Sequence, residues 1–505
     1  MTANISRRRL IESSIVGTAA LAGATSAFAS KPVAKWDETV DIIVVGSGFA
    51  GLAAAIEAKN AGANVIVLEK MAVFGGNSAI NGGILTATGC PQQKLHGIKD
   101  SVDLLEKDIL AAGNYMNYVD KVRFMAERAL SNYEWTVNYL GVEYLPDAIG
   151  QEGGHSVPRY VTTKNGSGSG IVSKEVEKLE KLGVKVRTRT YVKHVLRDDT
   201  GRVLGLEVLE GYRFPKTGTG KTKFIRAKKA VILCYGGFSR DVEYRTMQDP
   251  KLTAALDSTN QPGATSELWR ETSRIGCAQV QNDWIQCTPW NNPKEKGMGI
   301  GWTFAQSGAA EYGLWVATDG KRFVNELANR KVRADAIVAI GHPCLIYTSA
   351  VNAKANIIGK NMTDELYKHA REAGVVKEYP TLKAMADDLK IPFDQLKKTN
   401  DDFNSYMKAK KDPEFDCMIF DNAVPNEEGP FLAVRLWPRV HHCMGGLEIN
   451  EHAQVMSVRG TPIKGLYAAG EATGGVHGMV RLGTVAVADC MIFGRIAARD
   501  AFKKA

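Results

Sequence analysis

The chain alternates between apolar runs that predict buried strands and mixed runs with helical spacing. Residues 40–45 are almost wholly apolar and rich in β-branched side chains, which predicts a buried strand. An Ala-rich helix follows Gly51, and residues 64–68 form a second apolar strand that closes at Glu69. Two later strand ends run into glycines, "KAVILCYGGFSRD" (229–241) and "GLYAAGEATGGVHG" (465–478). "GRVLGLEVLEG" and "TKFIRAKKAVIL" read as two strands joined by a hairpin turn at "FPKTGTGKT", residues 214–222. That turn is not a phosphate loop, because Pro215 occupies the position of the required first glycine. "SVDLLEKDILAAG" (101–113) and "SKEVEKLEKLG" (173–183) carry apolar residues at helical spacing and read as amphipathic surface helices.

The first strand, its glycines and the acid belong together. Gly46-Ser-Gly48-Phe49-Ala50-Gly51 sits between strand and helix, and Glu69 comes 18 residues after Gly51. In that context the pattern is a dinucleotide-binding fingerprint. Gly46 permits the tight turn, Gly48 the close approach of a pyrophosphate, and Gly51 close helix–sheet packing. The helix N-terminus faces the phosphates, and Glu69 accepts from ribose hydroxyls. A second glycine cluster directly follows Lys70, with Gly76, Asn77, Ser78, Gly82 and Gly83. Gly236 and Gly237, then Gly470 and Glu471, add two further segments. A simple NAD domain does not need the second cluster; the four separated segments resemble those of the two-dinucleotide-binding-domain flavoproteins, a resemblance that implies FAD, and no second complete fingerprint provides for NAD(P)H.

At 505 residues the chain predicts two or more domains. Its net charge of +9 is spread along the sequence, without the patch or stripe of a nucleic-acid binder. Eight cysteines are scattered, with no CxxC or CxxCH, so zinc, iron–sulfur and c-type haem spacing are absent and no metal site is expected. Arg7-Arg8, a short apolar run and Ala27-Phe28-Ala29 predict a twin-arginine signal over residues 1–29, hence folded export to the periplasm. No later run is apolar enough for stable membrane insertion.

Six ordered motifs give the chain a family resemblance: the fingerprint with Glu69-Lys70, "GGNS…GG", "GGHSVPR" (153–159), "DGKRFVNE" (319–326) with Arg330, "HHCMGG" (441–446) and "AAGEATGGVHGMVRLG" (468–483). Together they resemble the soluble flavoproteins of the fumarate reductase/succinate dehydrogenase family. That family includes periplasmic flavocytochrome c fumarate reductases and 2-enoate reductases such as urocanate and methacrylate reductases. The resemblance covers about residues 37 to 505. It implies an α/β fold: a Rossmann-like FAD-binding domain of the two-dinucleotide-binding-domain type, at 37–287 and 443–505, interrupted by an α+β capping domain at 288–442. The active site is expected at the junction of the two.

The resemblance also implies roles. His441 and Arg481 hold a substrate carboxylate, and Arg330 is the proton donor to the alkene that takes hydride from flavin N5. His442 and Arg481 lie toward the flavin, with Gly483, Val485 and Ala486 completing its site. No histidine lies between 71 and 95, where membrane-bound relatives attach the flavin, so the FAD is expected to be non-covalent. No haem is expected in this chain, and electrons are expected from a separate multihaem cytochrome c. Two departures stand out. Thr288 and Trp290 occupy the place of a His-Pro-Thr segment that grips a second carboxylate, and a further threonine position falls near Ala305. Residues that feed protons to the catalytic arginine align with Gln306 and Ala309, leaving Glu311, Tyr312 or water as the route. The expected substrate is therefore a small unsaturated monocarboxylate such as methacrylate, acrylate or crotonate. Alternatives are a C4-dicarboxylate such as fumarate, an aryl enoate such as cinnamate stacked on Trp290, or a carrier role without a substrate. A 3-ketosteroid-type desaturase is disfavoured by the His441 and Arg481 pair.

Overall fold

The structure is a computed structural model that describes residues 29–30, 33–360 and 362–503. The expected export segment falls on residues 1–29, all but the last of which lie outside the described residues. The chain divides into two compact units. Unit one comprises residues up to 241, 261–284 and 443 onward; unit two comprises 242–260 and 285–442. Residues 242–260 therefore go with the second unit, whereas the sequence reading left them in the flavin domain. Backbone pairing explains the difference: Thr259 N–H donates to the Val440 carbonyl and Val440 N–H to that of Asp257.

The first unit is built on an eight-stranded sheet. β1 (Glu38–Val45) leads through Gly46 to Gly48 into α1 (Phe49–Asn60), and β2 (Val65–Leu68) returns parallel to β1. On the other side of β1 lies the C-terminal half of β4 (Lys221–Leu233), also parallel, and beyond it the strand Pro462–Ala468. The N-terminal half of β4 pairs antiparallel with β3 (Val203–Glu210), so residues 211–220 are the expected hairpin connection. Ile42, Ile43, Val44 and Val67 are fully buried, as continuous apolar runs in a parallel sheet require.

Close packing fixes the position of α1. A Cβ on Gly51 would lie 2.0 Å from the Gly46 carbonyl oxygen, so only glycine lets the helix sit this near the strand. The C-terminal helix Val485–Lys503 packs on α1 just as tightly, with Gly494 against the Ala50 backbone. Glu57 of α1 clamps Arg495 and Arg499 from that helix. The helix predicted near 101–113 spans Val102–Ala112, capped by Ser101, and the one near 173–183 spans Ser169–Lys181. Each buries one apolar stripe.

The second unit is α+β. Its four-stranded antiparallel sheet runs Leu314–Val316, Cys344–Ser349, Phe431–Leu436, Lys377–Tyr379 in spatial order. Alternate residues feed two separate cores. Trp315, Ile346 and Val434 enter one apolar cluster, and Leu314, Tyr347 and Ala433 the other. Both faces are thus covered, and strand alternation separates the two sets. Among the described residues no helix is long and apolar enough to cross a membrane.

Candidate functional site

In the first unit a cleft of about 1030 Å³, its open mouth included, runs along the C-terminal ends of β1, β2 and β4. This is where open α/β sheets bind ligands. Its wall holds Gly46, Gly48, Phe49 and Ala50, then Glu69 and Lys70, then Gly76, Asn77 and Ser78. Gly236, Gly237, Gly470 and Glu471 complete the expected set in that wall. The four segments separated in sequence thus come together around one cleft.

Local geometry suits a dinucleotide. Gly46 adopts φ +101°, and a Cβ there would meet the Cys234 carbonyl oxygen at 2.2 Å. A Cβ on Gly48 would fall 2.9 Å from Ser78 Oγ, in the space a pyrophosphate needs beside the helix start. Glu69 is 9% exposed, and its Oε2 accepts from Ser47 Oγ at 2.6 Å while Oε1 accepts from Met71 N at 2.9 Å. Those bonds hold the carboxylate at the end of β2, where ribose hydroxyls are read. Asn77 Oδ1 accepts from Gln261 N at 2.8 Å and Ser78 Oγ from Phe49 N at 3.0 Å, tying the second glycine cluster to the first. These residues fit FAD.

Sequence reasoning missed part of the wall: Thr190 to Val192, Cys234, residues 263–265 and Cys490. Most contribute through backbone or small side chains, which leave no motif. Of the remaining expected cofactor residues, Gly51 serves packing, and Gly82, Gly83, Arg481, Gly483, Val485 and Ala486 stand outside this wall. The loop that carries Arg481 is fixed from the "GGHSVPR" motif. His155 Nε2 lies 2.9 Å from the Gly483 carbonyl, and Arg159, fully buried, binds Asp100 and Asp108. Burial pushes the Glu471 carboxyl up to about 7, against the Cys443 N–H bond and the Arg481 charge, which favour ionisation.

In the second unit His441 and His442 lie on β5 (Arg439–Cys443), which pairs with strand Ile285–Thr288. Neighbours on a strand face opposite ways, so the two histidines have different surroundings. His441 Nδ1 lies 2.7 Å from Thr259 Oγ1, which itself donates to Asn260 Oδ1 at 3.2 Å. With the hydroxyl proton so engaged, Thr259 accepts from Nδ1–H. Thr259 was not legible in the sequence, being a loop residue without a motif.

Arg330 opens the helix α2 (Arg330–Ile340), whose N-terminus is capped by Asn329 accepting from Val332 N. Its guanidinium lies 5.0 Å from the Trp290 ring centre, and that of Arg333 lies at the same 5.0 Å. Trp290 and Ala305 are 3% and 0% exposed and belong to the apolar core cluster that contains Phe304, Ala309, Tyr312 and Trp315. Thr288, also buried, donates to Asn291 Oδ1 at 3.0 Å. Gln306 sits in the π-helical turn Ala305–Ala309. Burial raises the carboxyl of Glu311, which is hydrogen-bonded to Tyr312. The apolar surroundings expected near Trp290 therefore include two arginines, one of them unforeseen. One trio of potential metal ligands, Glu326, Asp412 and Cys417, occurs among the described residues, but Arg322 already occupies both carboxylates.

The family model for an FAD binding domain matches residues 41–487. The chain belongs to this FAD-binding family. It is an FAD-dependent oxidoreductase with the flavoprotein fold of the fumarate reductase/succinate dehydrogenase group. It is 40% identical to the acrylate reductase flavoprotein subunit of Shewanella woodyi over 92% of each chain. With the urocanate reductase of Eggerthella lenta it shares 32% identity, over 92% of this chain and 74% of the relative. Among solved structures, the open conformation of a flavocytochrome c3 fumarate reductase superposes with a TM-score of 0.76 at 29% identity, covering 100% of this chain and 82% of the other.

Proposed function

We propose that the chain reduces the C=C bond of a small α,β-unsaturated monocarboxylate of the acrylate type. The observation that carries this reading is the 40% identity to an acrylate reductase flavoprotein subunit over nearly all of both chains. The residues fit it chemically. The Arg481 guanidinium binds a carboxylate in two-point fashion. His441, oriented by Thr259, donates from its other nitrogen. Drawing electron density toward the carboxylate stabilises the charge that develops on the alkene. Bound FAD supplies the hydride, and Arg330 gives the proton. Thr288, Trp290 and Ala305 occupy the positions that the resemblance assigns to a grip on a second carboxylate, with Gln306 next to Ala305 in sequence. An unpaired carboxylate there would cost several kcal/mol, within the roughly 2–7 range for buried polar groups and above it if charged.

Electrons come, in this reading, from a separate periplasmic multihaem cytochrome c, and the FAD is held non-covalently. The word subunit in the acrylate reductase name and the flavocytochrome architecture of the solved relative support a cytochrome donor. Periplasmic location rests on the Arg7-Arg8 signal, which the twin-arginine export machinery reads. A second reading, a C4-dicarboxylate substrate, is favoured by one observation: Arg333 brings another cation near Trp290.

The test is turnover by purified holoprotein with a reduced dye and acrylate, methacrylate, crotonate or cinnamate. The proposal expects turnover of the small acids and a carboxylate-induced change in the flavin absorption spectrum. A flavin spectrum indifferent to every acid, with no turnover, would identify an electron carrier instead.

A further inference from the structure

The proposed acid, Arg330, must be recharged with a proton after each turnover, and the positions expected to feed it hold Gln306 and Ala309. Neither side chain exchanges a proton in water's pH range: one is an amide, the other a methyl group that is fully buried. A different group stands beside Arg330. Arg333 stands three residues on from Arg330 along α2, a spacing that puts side chains on the same helix face about 5–6 Å apart at Cβ. Both guanidinium carbons lie 5.0 Å from the Trp290 ring, so they are no more than about 10 Å from each other.

Arg333 is an unusual arginine. It is 9% exposed, its Nη1 donates to the Glu326 backbone carbonyl at 2.9 Å, and its Nε, also buried, has no hydrogen-bond partner. No carboxylate lies within ion-pair distance of it among the described residues, since Glu326 is engaged side-on by Arg322. The rings of Trp290 and Trp315 lie beside it. The groups that act on its charge are Arg330 from its own helix, Glu326 from the loop before it, and Cys417 from the segment packed alongside. Buried and beside a like charge, such a guanidinium has no structural need of its proton.

We propose that Arg333 is the positioning residue that refills Arg330 with its proton. Arg330 gives a proton to the alkene carbon and becomes a neutral guanidine. The Arg333 guanidinium passes a proton to it through an intervening water, and Arg333 regains one from solvent. Hydride and proton together reduce the alkene, and the two electrons come from the cytochrome or dye that reduces the flavin. Burial, followed by the Arg330 charge, pulls the Arg333 guanidinium down to about 9, against the pull of Cys417 and Glu326. That places it within reach of solution acids. This inference rests on the reading of Arg330 as proton donor.

The experiment uses the full-length holoprotein with a reduced dye and acrylate, comparing Arg333→Met, Arg333→Lys and Arg330→Met. For Arg333→Met the expected outcome is a fall in kcat of about 100-fold, the low end of what a proton-transfer group contributes, with KM changed less than about twofold. The solvent deuterium isotope effect on kcat should rise. Added buffer acids such as imidazole or ammonium should restore turnover in order of their acid strength, a response that a purely structural arginine would not give. Arg333→Lys should keep most of the activity and shift the pH profile of kcat. If Arg333→Met fails to take up FAD, the pH profile and isotope effect of Arg333→Lys decide instead, and an unchanged profile overturns the proposal. Wild-type kcat in Arg333→Met overturns it, as does a loss indifferent to buffer acid. A rise in KM confined to fumarate also overturns it and makes Arg333 a carboxylate clamp. Should Arg330→Met remain active, the proton-donor reading itself fails, whatever Arg333 does.

Discussion

The flavin cleft of the first unit and the arginine cluster of the second are constructed from different materials. The cleft is shaped where backbone comes close: Gly46 at positive φ, Gly48 beside Ser78 and the start of α1, with the Glu69 carboxylate fixed at the end of β2. The cluster is formed by long side chains, with Arg330 and Arg333 reaching the same indole; elsewhere in the unit Thr259 holds His441. A backbone site fails when an atom is added. A side-chain site fails when one is taken away.

That contrast can be broken at several points. Arg330→Met should lower kcat by about a thousandfold while FAD stays bound, since proton-transfer groups contribute about 10²–10⁴. Stopped activity with unchanged flavin content is the check; loss of flavin as well would erase the distinction between the two regions. Gly46→Ala should do the reverse. Its new methyl group would fall on the Cys234 carbonyl, in a backbone conformation that L side chains avoid. FAD affinity, read by flavin fluorescence on titration, should drop by about two orders of magnitude, the size of a strain near 3 kcal/mol.

Glu471 tests the cleft through pH. Burial raises its carboxyl from 4.5 to about 7, so the folded state holds the proton more tightly than the unfolded chain. The resulting stabilisation is complete below about pH 4.5 and is lost as pH rises through 7. Denaturant titrations of the wild-type apoprotein should therefore lose stability across that window relative to Glu471→Gln, by about 3 kcal/mol. Parallel pH curves for the two proteins would contradict it. The smallest effect belongs to Thr259→Ala. Removing one hydrogen bond to His441 should raise KM for the acid by up to about tenfold, the equivalent of ~1.4 kcal/mol, with little change in kcat.

The same contrast explains what the sequence revealed. Strand, glycine spacing and Glu69 were legible because backbone conformation dictates residue type at fixed intervals, and all four glycine segments meet at the cleft. Thr190 to Val192 and residues 263–265 were not, because they carry no glycine spacing or motif that marks them as part of the wall. Arg330 and His441, the residues proposed for the substrate side, were singled out only through resemblance. Thr259 and Arg333 escaped notice because their roles depend on which side chains meet across loops and helices distant in sequence. Trp290 shows the limit most clearly: its type suggested a greasy surface, but two guanidinium groups lie beside it. The boundary near residue 242 was missed for a related reason, since only the pairing of 257–259 with Val440 assigns that segment to the second unit.

The central claim is preference for an acid with one carboxylate. Steady-state kcat/KM for acrylate and for fumarate, measured side by side on the holoprotein with the same reduced dye, tests it directly. A pocket that holds one carboxylate should favour acrylate by at least about tenfold, the discrimination that ~1.4 kcal/mol of unmatched carboxylate burial supplies. Equal or faster turnover of fumarate would contradict it.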